Sequence, residues 1–578
     1  MVNLVINSKH ISVKEGSTIL EAATENGIQI PTLCYLKDIN EIGACRICVV
    51  EIKGIDRLVA ACNTPVEEDM VVYTHSPRVM TARKVTLELI LAEHNYTCPT
   101  CTRSGNCELQ SLSEEFGLTA ETFKKRMVKM DWDESFPLIR DNEKCIKCMR
   151  CIQVCDKVQS LGVWDIAGTG TWTTINVNNG LDIKEASCAI CGQCITNCPV
   201  GALQARHDKE SVYKALSDND KVKVASVAPA VRAAWGEQLG LEPEEATMQK
   251  MGEALRQIGF DYVFDTNFSA DLTIMEEGSE FLARLGEKED YKFPMFTSCC
   301  PGWVRFLKSQ YPDMVPQLST AKSPQQMFGA ITKSYFAEKI GRDPKDIVLV
   351  SIMPCVAKKM ECSYETMKDE ARGQDVDFVL TTREFVKMIK AANINVKDLE
   401  DKPLDDPLCA GTGAAVIFGA TGGVMEAALR SAYYLATGKN PDPDAFKAVR
   451  GYHDGWNEAT FDIQGTTVRC AVASGLGNAR KLIQAIRAGE VEYDFVEVMA
   501  CPGGCVGGGG QPIHLHHNKM YEVRGERLRK LDYTNPIRFS HENPQIQTLY
   551  SEFLGAPLGK KAHHLLHTDH NGWKMNEK

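Results

Sequence analysis

Residues 296–303 read FTSCCPGW and set Cys299 directly before Cys300. Neighbouring side chains diverge, so the two thiols are not expected to bind the same iron. One can hold metal; the other is left free, or packs as a small buried hydrophobe. More thiols follow in this half of the chain: Cys355 in MPCVAKKME, then Cys501 and Cys505 in MACPGGCVGGGGQP. Four of these five would complete a cluster held by cysteine alone. The glycines at 507–510 would let backbone approach a cofactor closely, or simply form a flexible loop. No G-x-G-x-x-G opens a helix after a strand, so no dinucleotide fingerprint is present.

Fifteen cysteines precede this region. CIKCMRCIQVC supplies Cys145, Cys148, Cys151 and Cys155, and CAICGQCITNCP supplies Cys188, Cys191, Cys194 and Cys198. Both are C-x2-C-x2-C-x3-C, the [4Fe–4S] run of bacterial ferredoxins, in which the fourth cysteine ligates the other cluster. Cys145, Cys148, Cys151 and Cys198 should therefore hold one cluster, and Cys188, Cys191, Cys194 and Cys155 the other. At roughly 4% cysteine, three further cysteines at fixed offsets arise with a probability of about 10⁻⁴ per start, so two such runs are no accident.

Cys34, Cys45, Cys48 and Cys62 follow VNLVIN and HISV, two short strands of a hairpin, and STILEAATENG, a helix. Thr18 and Glu21 have capping-box spacing and Gly27 sits at the C-cap. A hairpin, a helix and a cysteine loop resemble a plant-type ferredoxin, whose loop wraps a [2Fe–2S] cluster. The spacing departs from C-x4-C-x2-C, and zinc could use the same four thiols. HNYTCPTCTRSGNC adds His94, Cys98, Cys101 and Cys107. This set suits zinc or a [4Fe–4S] cluster, and His94 could equally be a surface histidine.

The chain that must position these groups has 578 residues, 44% hydrophobic and 24% charged, with a formal net charge of −11. It is long enough for several domains. The charge argues against general nucleic-acid or anionic-membrane binding, but leaves room for a local basic patch that docks an acidic partner. The opening MVNLVINSKHISVKEG lacks a signal-peptide pattern, and no apolar run reaches the ~18 residues of a membrane span. A cytoplasmic location is expected. The clustered cysteines among the 23 then read as metal ligands rather than a disulfide framework.

In the C-terminal half, KVKVASVAP, DIVLVSIMPC and YDFVEVMAC read as buried strands, each ending in a Pro or Cys turn. PEEATMQKMGEALRQIG and GNARKLIQAIRAG read as helices between them. The alternation suggests α/β layering with functional loops at strand ends.

The motifs TSCCPxW, MPCxxKxxE and ExMACxxGCxxGGGQ, at 297–303, 353–361 and 497–511, resemble the three signatures of [FeFe]-hydrogenases. The ordered N-terminal cysteine groups are similar to those of the large monomeric clostridial type. The resemblance implies a multidomain α+β and α/β chain. It would comprise a plant-type [2Fe–2S] ferredoxin (β-grasp) domain over 1–80 and a one-His/three-Cys [4Fe–4S] domain over 81–125. A two-[4Fe–4S] ferredoxin-like domain over 126–208 and an H-cluster catalytic domain over 209–578 would follow.

It further implies an H-cluster, a [4Fe–4S] cube joined to a diiron unit carrying CO, CN⁻ and a bridging azadithiolate. Cys300, Cys355, Cys501 and Cys505 would hold the cube, with Cys505 as the bridge. Lys358 would donate to a cyanide, Met353 and Met499 would flank the diiron unit, and Ser323 and Gln325 would line the pocket. His94 becomes a ligand of the third accessory [4Fe–4S] cluster.

Cys299, forced beside the metal by its neighbour, becomes the last proton donor; a thiol has a reference pKa near 8.5. DLTIMEEGSEFLARLG reads as a helix with Glu277, Glu280 and Arg284 on one face, which by pattern alone would be a solvated face. The resemblance makes them, with Ser319, a proton path: solvent, Arg284 and Glu280, Ser319, Glu277, Cys299.

The implied activity is that of a ferredoxin hydrogenase, 2H⁺ + 2e⁻ = H2, with ferredoxin or flavodoxin as redox partner and maturation proteins for the diiron unit. The proton/hydrogen couple lies near −0.41 V at pH 7, seven decades of about 59 mV. Plant-type clusters lie near about −400 mV, so the relay could run either way. A subunit of a bifurcating complex, a hydrogen sensor, and a non-catalytic electron-transfer or cluster-assembly protein are the alternatives. Cys299 argues against the sensor and the non-catalytic readings, and the lack of a cysteine after Cys505 against the bifurcating subunit. The tail KKAHHLLHTDHNGW could bind metal or dock the C-terminus.

Overall fold

The computed structural model describes the chain apart from residues 119–122, 126, 464, 516–518 and 576–578. The first unit grows from the expected hairpin. Val2–Ile6 and Lys9–Val13 pair antiparallel, and Met70–Tyr73 joins the first strand in parallel. Val49–Ile52 and Val59–Ala60 complete a five-stranded sheet. Alternation turns Leu4, Ile6, Ile11 and Val13 inward. The helix Ile19–Glu25 covers them, burying Ile19 and Leu20. Its capping box is formed: Glu21 N–H donates to Thr18 Oγ at 3.2 Å and Thr18 N–H to Glu21 Oε2 at 2.9 Å. Gly27 takes φ +73° past its end, the left-handed turn that favours glycine.

The two cysteine runs share one backbone. Lys147 and Ile190, each two residues past the first cysteine, sit at φ 56° and 55°; Met149 and Gly192, each four past it, sit at 66° and 73°. In each run the N–H two residues on donates to the first sulfur: Lys147 to Cys145 and Ile190 to Cys188, both 3.4 Å. Short helices follow, Arg150–Gln153 and Gln193–Asn197. The strands Leu138–Arg140 and Leu203–Ala205 pair antiparallel and tie the ends of the unit together.

The three strands expected in the C-terminal half are present, but they fall into two sheets. Val222–Val227 and Ile347–Met353 are neighbours in a parallel sheet flanked by Tyr262–Asp265 and Phe378–Thr381. Phe495–Met499 lies in the second sheet, parallel to Met295–Phe296 and Thr466–Ser474, with Trp456–Ile463 antiparallel at the edge. Every residue of Val222–Val227 and of Phe495–Met499 is buried, as in strands covered on both faces. The helix expected over 243–259 is shorter, Met248–Ile258, because Thr247 caps it by accepting from Lys250 N–H at 3.2 Å.

Strand ends from both sheets meet at one cavity, where Met353, Met499 and the loops after them face each other. Ligand sites in open α/β sheets form at such carboxyl ends. One apolar core runs from Cys34, Trp164 and Ile195 in the N-terminal units into Trp303, Val356 and Val498 of the second half. Among the described residues no helix is long and apolar enough to cross a membrane.

Candidate active site

The cavity measures about 80 Å³. Its walls include Cys299, Cys300, Cys355 and Cys505, with Met353, Met499, Gln325 and Lys358. Cys300 is the N-cap of the helix Pro301–Gln310, with proline at the first helical position. Its sulfur accepts from Ala500 N–H at 3.5 Å. Burial raises the thiols of Cys300, Cys355 and Cys501, Cys355 to about 11, and neighbouring thiols add to it: Cys300 on Cys355, and Cys191, Cys355, Cys300 and Cys505 on Cys501. Four crowded thiols, Cys501 buried and the other three partly so, ionise together only against a cation, which is what a metal cluster supplies.

The glycine run is packed against backbone. A Cβ on Gly508 would lie 2.3 Å from Pro354 O, and one on Gly509 2.6 Å from Cys191 O. Gly510 N–H donates to Pro354 O at 2.7 Å. These glycines let the Cys501–Cys505 loop lie on both the Cys355 loop and the Cys191 run, so neither a flexible loop nor a contact reserved for cofactor accounts for them.

Lys358 reaches into this site. Its Nζ donates to Cys299 O at 3.2 Å and to Glu361 Oε2 at 2.9 Å. Burial works against its charge, but Glu361 outweighs it and holds the ammonium above its usual pKa. Ser323 Oγ donates to the same Glu361 oxygen at 3.0 Å. Glu361 closes the MPCxxKxxE motif, three after Lys358 on one helical turn, Lys358–Glu361, and its role as partner of that lysine emerges only from the fold. Gln325 Nε2 donates to Cys362 Sγ at 3.2 Å, while its buried Oε1 has no hydrogen-bond partner. Thr266 Oγ1, on the same wall, is buried and unpartnered too. Converging thiols, unmet polar atoms and an otherwise apolar wall fit a bulky cofactor with a few polar ends.

Glu277, Glu280 and Arg284 stand on the helix Asn267–Gly286, all buried. The solvated-face alternative is therefore excluded. Arg284 Nη2 donates to Glu280 Oε1 at 2.6 Å, and Ser319 Oγ to Glu280 Oε2 at 2.7 Å. Glu277 is 0% exposed and neither of its oxygens has a hydrogen-bond partner. Burial, then the Glu280 charge, raises it to about 8. Burial also pushes the Cys299 thiol well above its usual range, and the Glu277 charge adds to this. Cys299 thus keeps its proton at neutral pH, more firmly than its reference pKa suggests.

The N-terminal groups are also drawn together. Cys34 pairs with Cys45, and Cys48 with Cys62, each pair within hydrogen-bonding reach. Each pair could serve one iron of a [2Fe–2S] cluster. In the ferredoxin-like unit the charges of Cys198 and Cys145, after burial, raise Cys148 to about 12. Burial and then Cys188, Cys155 and Cys151 raise Cys194. Thiols of the two runs thus approach one another. His94 is 6% exposed, not a surface residue, and its Nδ1 lies 2.9 Å from Lys144 O. That contact leaves Nε2 for metal, the usual arrangement of a metal-bound imidazole. Cys98 and Cys107 line the same cavity as His94, and Cys101 Sγ packs on Gly201.

Five family descriptions match along the chain. They are a 2Fe-2S iron-sulfur cluster binding domain at 1–77, the NADH-ubiquinone oxidoreductase-G iron-sulfur binding region at 83–121, and a 4Fe-4S dicluster domain at 144–202. The C-terminal domain of the iron only hydrogenase large subunit matches 221–509, and the iron hydrogenase small subunit 518–573. The chain is 48% identical to the NADP-reducing hydrogenase subunit HndD of Solidesulfovibrio fructosivorans, over 98% of both chains. It is 38% identical to iron hydrogenase 1 of Clostridium pasteurianum, over 98% of this chain and 99% of that one. A variant of the apo [FeFe]-hydrogenase HydA1 of Chlamydomonas reinhardtii superposes with a TM-score of 0.57 at 44% identity, covering 64% of this chain and 99% of that one. Together with the converging thiols, this full-length similarity shows that the chain belongs to the [FeFe]-hydrogenase family and is a hydrogenase with accessory iron–sulfur domains.

Proposed function

We propose that the protein interconverts protons and H2 at an H-cluster that Cys300, Cys355, Cys501 and Cys505 would hold. The bound cluster supplies the redox chemistry, two electrons and two protons exchanged with H2. Lys358, fixed by Glu361, places a cation where the cluster's anionic ligands would lie. Met353 and Met499 form soft walls that exclude water. Gln325 contributes the polar edge of the pocket, and Ser323, behind the wall, steadies Glu361.

The chain would also hold four accessory clusters, which would supply electron transfer to this site. Cys34, Cys45, Cys48 and Cys62 hold a [2Fe–2S] cluster, and His94, Cys98, Cys101 and Cys107 a [4Fe–4S] cluster. The crossed sets Cys145, Cys148, Cys151, Cys198 and Cys188, Cys191, Cys194, Cys155 hold the other two. Protons pass from Arg284 and Glu280 through Ser319 to Glu277 and then to Cys299 Sγ, the last protonated atom of the chain. A ferredoxin or flavodoxin is the electron partner, and maturation proteins deliver the diiron unit.

One observation carries this reading: a buried thiol outside the four-thiol set, Cys299, lies beside a carboxyl with no hydrogen-bond partner, Glu277. Infrared spectra of matured protein should contain CO and CN⁻ stretches. Cys299→Ser should keep those bands and lose most turnover. Missing bands would remove the active site, and full activity of the variant would remove the donor.

A second reading concerns the partner. The similarity to an NADP-reducing hydrogenase subunit spans 98% of both chains, so the lack of a cysteine after Cys505 does not argue against a multi-protein assembly. Protein purified alone should exchange electrons with ferredoxin in the monomeric case. If turnover needs a co-purifying nicotinamide-linked partner, the assembly reading holds.

A further inference from the structure

The His-rich tail turns inward onto Glu280. Residues 566–568 lie antiparallel to 320–322: Lys322 N–H donates to Leu566 O at 2.7 Å, Thr568 N–H to Thr320 O at 2.8 Å, and Ala321 bridges His567. This register sets His567 Nδ1 2.8 Å from Thr320 Oγ1. Thr320 Oγ1 is 3.1 Å from Glu280 Oε1. On the other side, His567 Nε2 lies 3.0 Å from Oε2 of Glu276, a carboxyl 0% exposed. Tyr550 O–H and Leu558 N–H donate to Glu276 at 2.5 and 2.9 Å. Glu280, Thr320, His567 and Glu276 thus form one hydrogen-bonded wire, buried except at the half-buried Thr320.

Counting protons gives the wire a property. It has three links and a carboxylate acceptor at each end. Thr320 supplies one proton and a neutral imidazole one. The third link closes only when the group carries one extra proton, on the imidazole or on a carboxyl. We propose that Glu276, His567 and Thr320 form a proton-storing branch of the Glu280 path, loaded when the third link closes and discharged onto Glu280. In discharge His567 Nδ1–H breaks and its proton goes to Thr320 Oγ, whose own hydroxyl proton goes to Glu280 Oε1. His567 is left neutral, with Nε2–H toward Glu276. Reloading enters at Thr320, which is half-buried: hydronium gives a proton to Thr320 Oγ as the hydroxyl proton passes to His567 Nδ1, and water is left.

The other charged groups facing the branch are few. Arg284 bonds Glu280, and Glu277 lies one turn along the same helix. His570 Nε2 is 2.8 Å from Ser319 O, and Lys322 is paired with Asp375 at 2.7 Å. The branch rests on the proposed role of Glu280, so the test includes Glu280→Gln.

Matured His567→Phe and Thr320→Val should evolve H2 about tenfold more slowly than the parent where the branch is loaded, and the difference should close as rising pH empties it. Infrared difference spectra on a pH jump, recorded before the diiron unit is inserted, should lose an imidazole band in His567→Phe. An inactive Glu280→Gln, together with parent pH profiles and an unchanged band in His567→Phe, overturns the branch alone. A fully active Glu280→Gln removes the path and the branch with it. Should His567→Phe fail to fold, the pH profile of Thr320→Val, a near-isosteric change, decides by the same criteria.

Discussion

Cys501 Sγ lies 3.6 Å from the carbonyl oxygen of Cys191. A thiol of the catalytic set thereby touches the backbone of the accessory run, and Gly509 makes the contact possible. A Cβ there would sit 2.6 Å from both Cys191 O and Gly192 Cα. Gly509→Ala should cost about 1–3 kcal/mol by overpacking and widen this junction. Turnover fed through the relay by a protein donor should fall severalfold relative to turnover fed by a small dye. An unchanged ratio would mean that electrons cross elsewhere.

Glu277 makes stability depend on pH. Its native pKa is raised from 4.5 to about 8, so between these values the native state holds a proton that the unfolded chain releases. Stability therefore falls as pH rises through that window. Glu277→Gln removes this dependence. Its melting temperature should match the parent near pH 4 and exceed it near pH 8, while turnover drops about a hundredfold, as for loss of a general acid–base group. A variant that melts below the parent at pH 8 would contradict the buried, unpaired carboxyl.

Glu361 stabilises a buried lysine. Lys358 is 9% exposed and Glu361 4%. Removing one partner of such a pair typically costs about 3–5 kcal/mol. Glu361→Gln should lower the melting temperature by several degrees and shift the cyanide stretches of matured protein, because Lys358 loses its tether. Unmoved stretches would place Lys358 away from the cyanide.

Asn40 couples two relay units. Its Nδ2 donates to Cys34 O at 2.6 Å and to Cys148 O at 3.0 Å. Asn40→Leu would leave two buried carbonyls unmet, at about 1–3 kcal/mol each. The first unit should loosen, and proteolysis should release a fragment of about its size faster than from the parent. Equal proteolysis rates would deny Asn40 this role.

The metal-binding half was legible because cluster ligands repeat at short fixed spacing, so Cys145 to Cys155 declare themselves without a fold. The strands ending at Met353 and Met499 were legible as apolar runs, but their division between two sheets was not, since adjacency of sheets is set by packing far along the chain. Glu277 and Glu280 looked like a solvated face because helix periodicity reports which residues share a side, not what covers it. Their cover includes Ser319 and the tail. His567 meets Thr320 across 247 positions, a separation at which no spacing rule operates. The glycines after Cys505 invited a cofactor interpretation, yet the carbonyls of Pro354 and Cys191 explain them.

The apolar core shared by the N-terminal units and the catalytic half makes wire and terminal one solid. Parting them would expose Trp164, Trp303 and Val498 to water, so packing opposes any swing between them. The remaining slow encounter lies at the outer end of the wire, where another molecule must arrive.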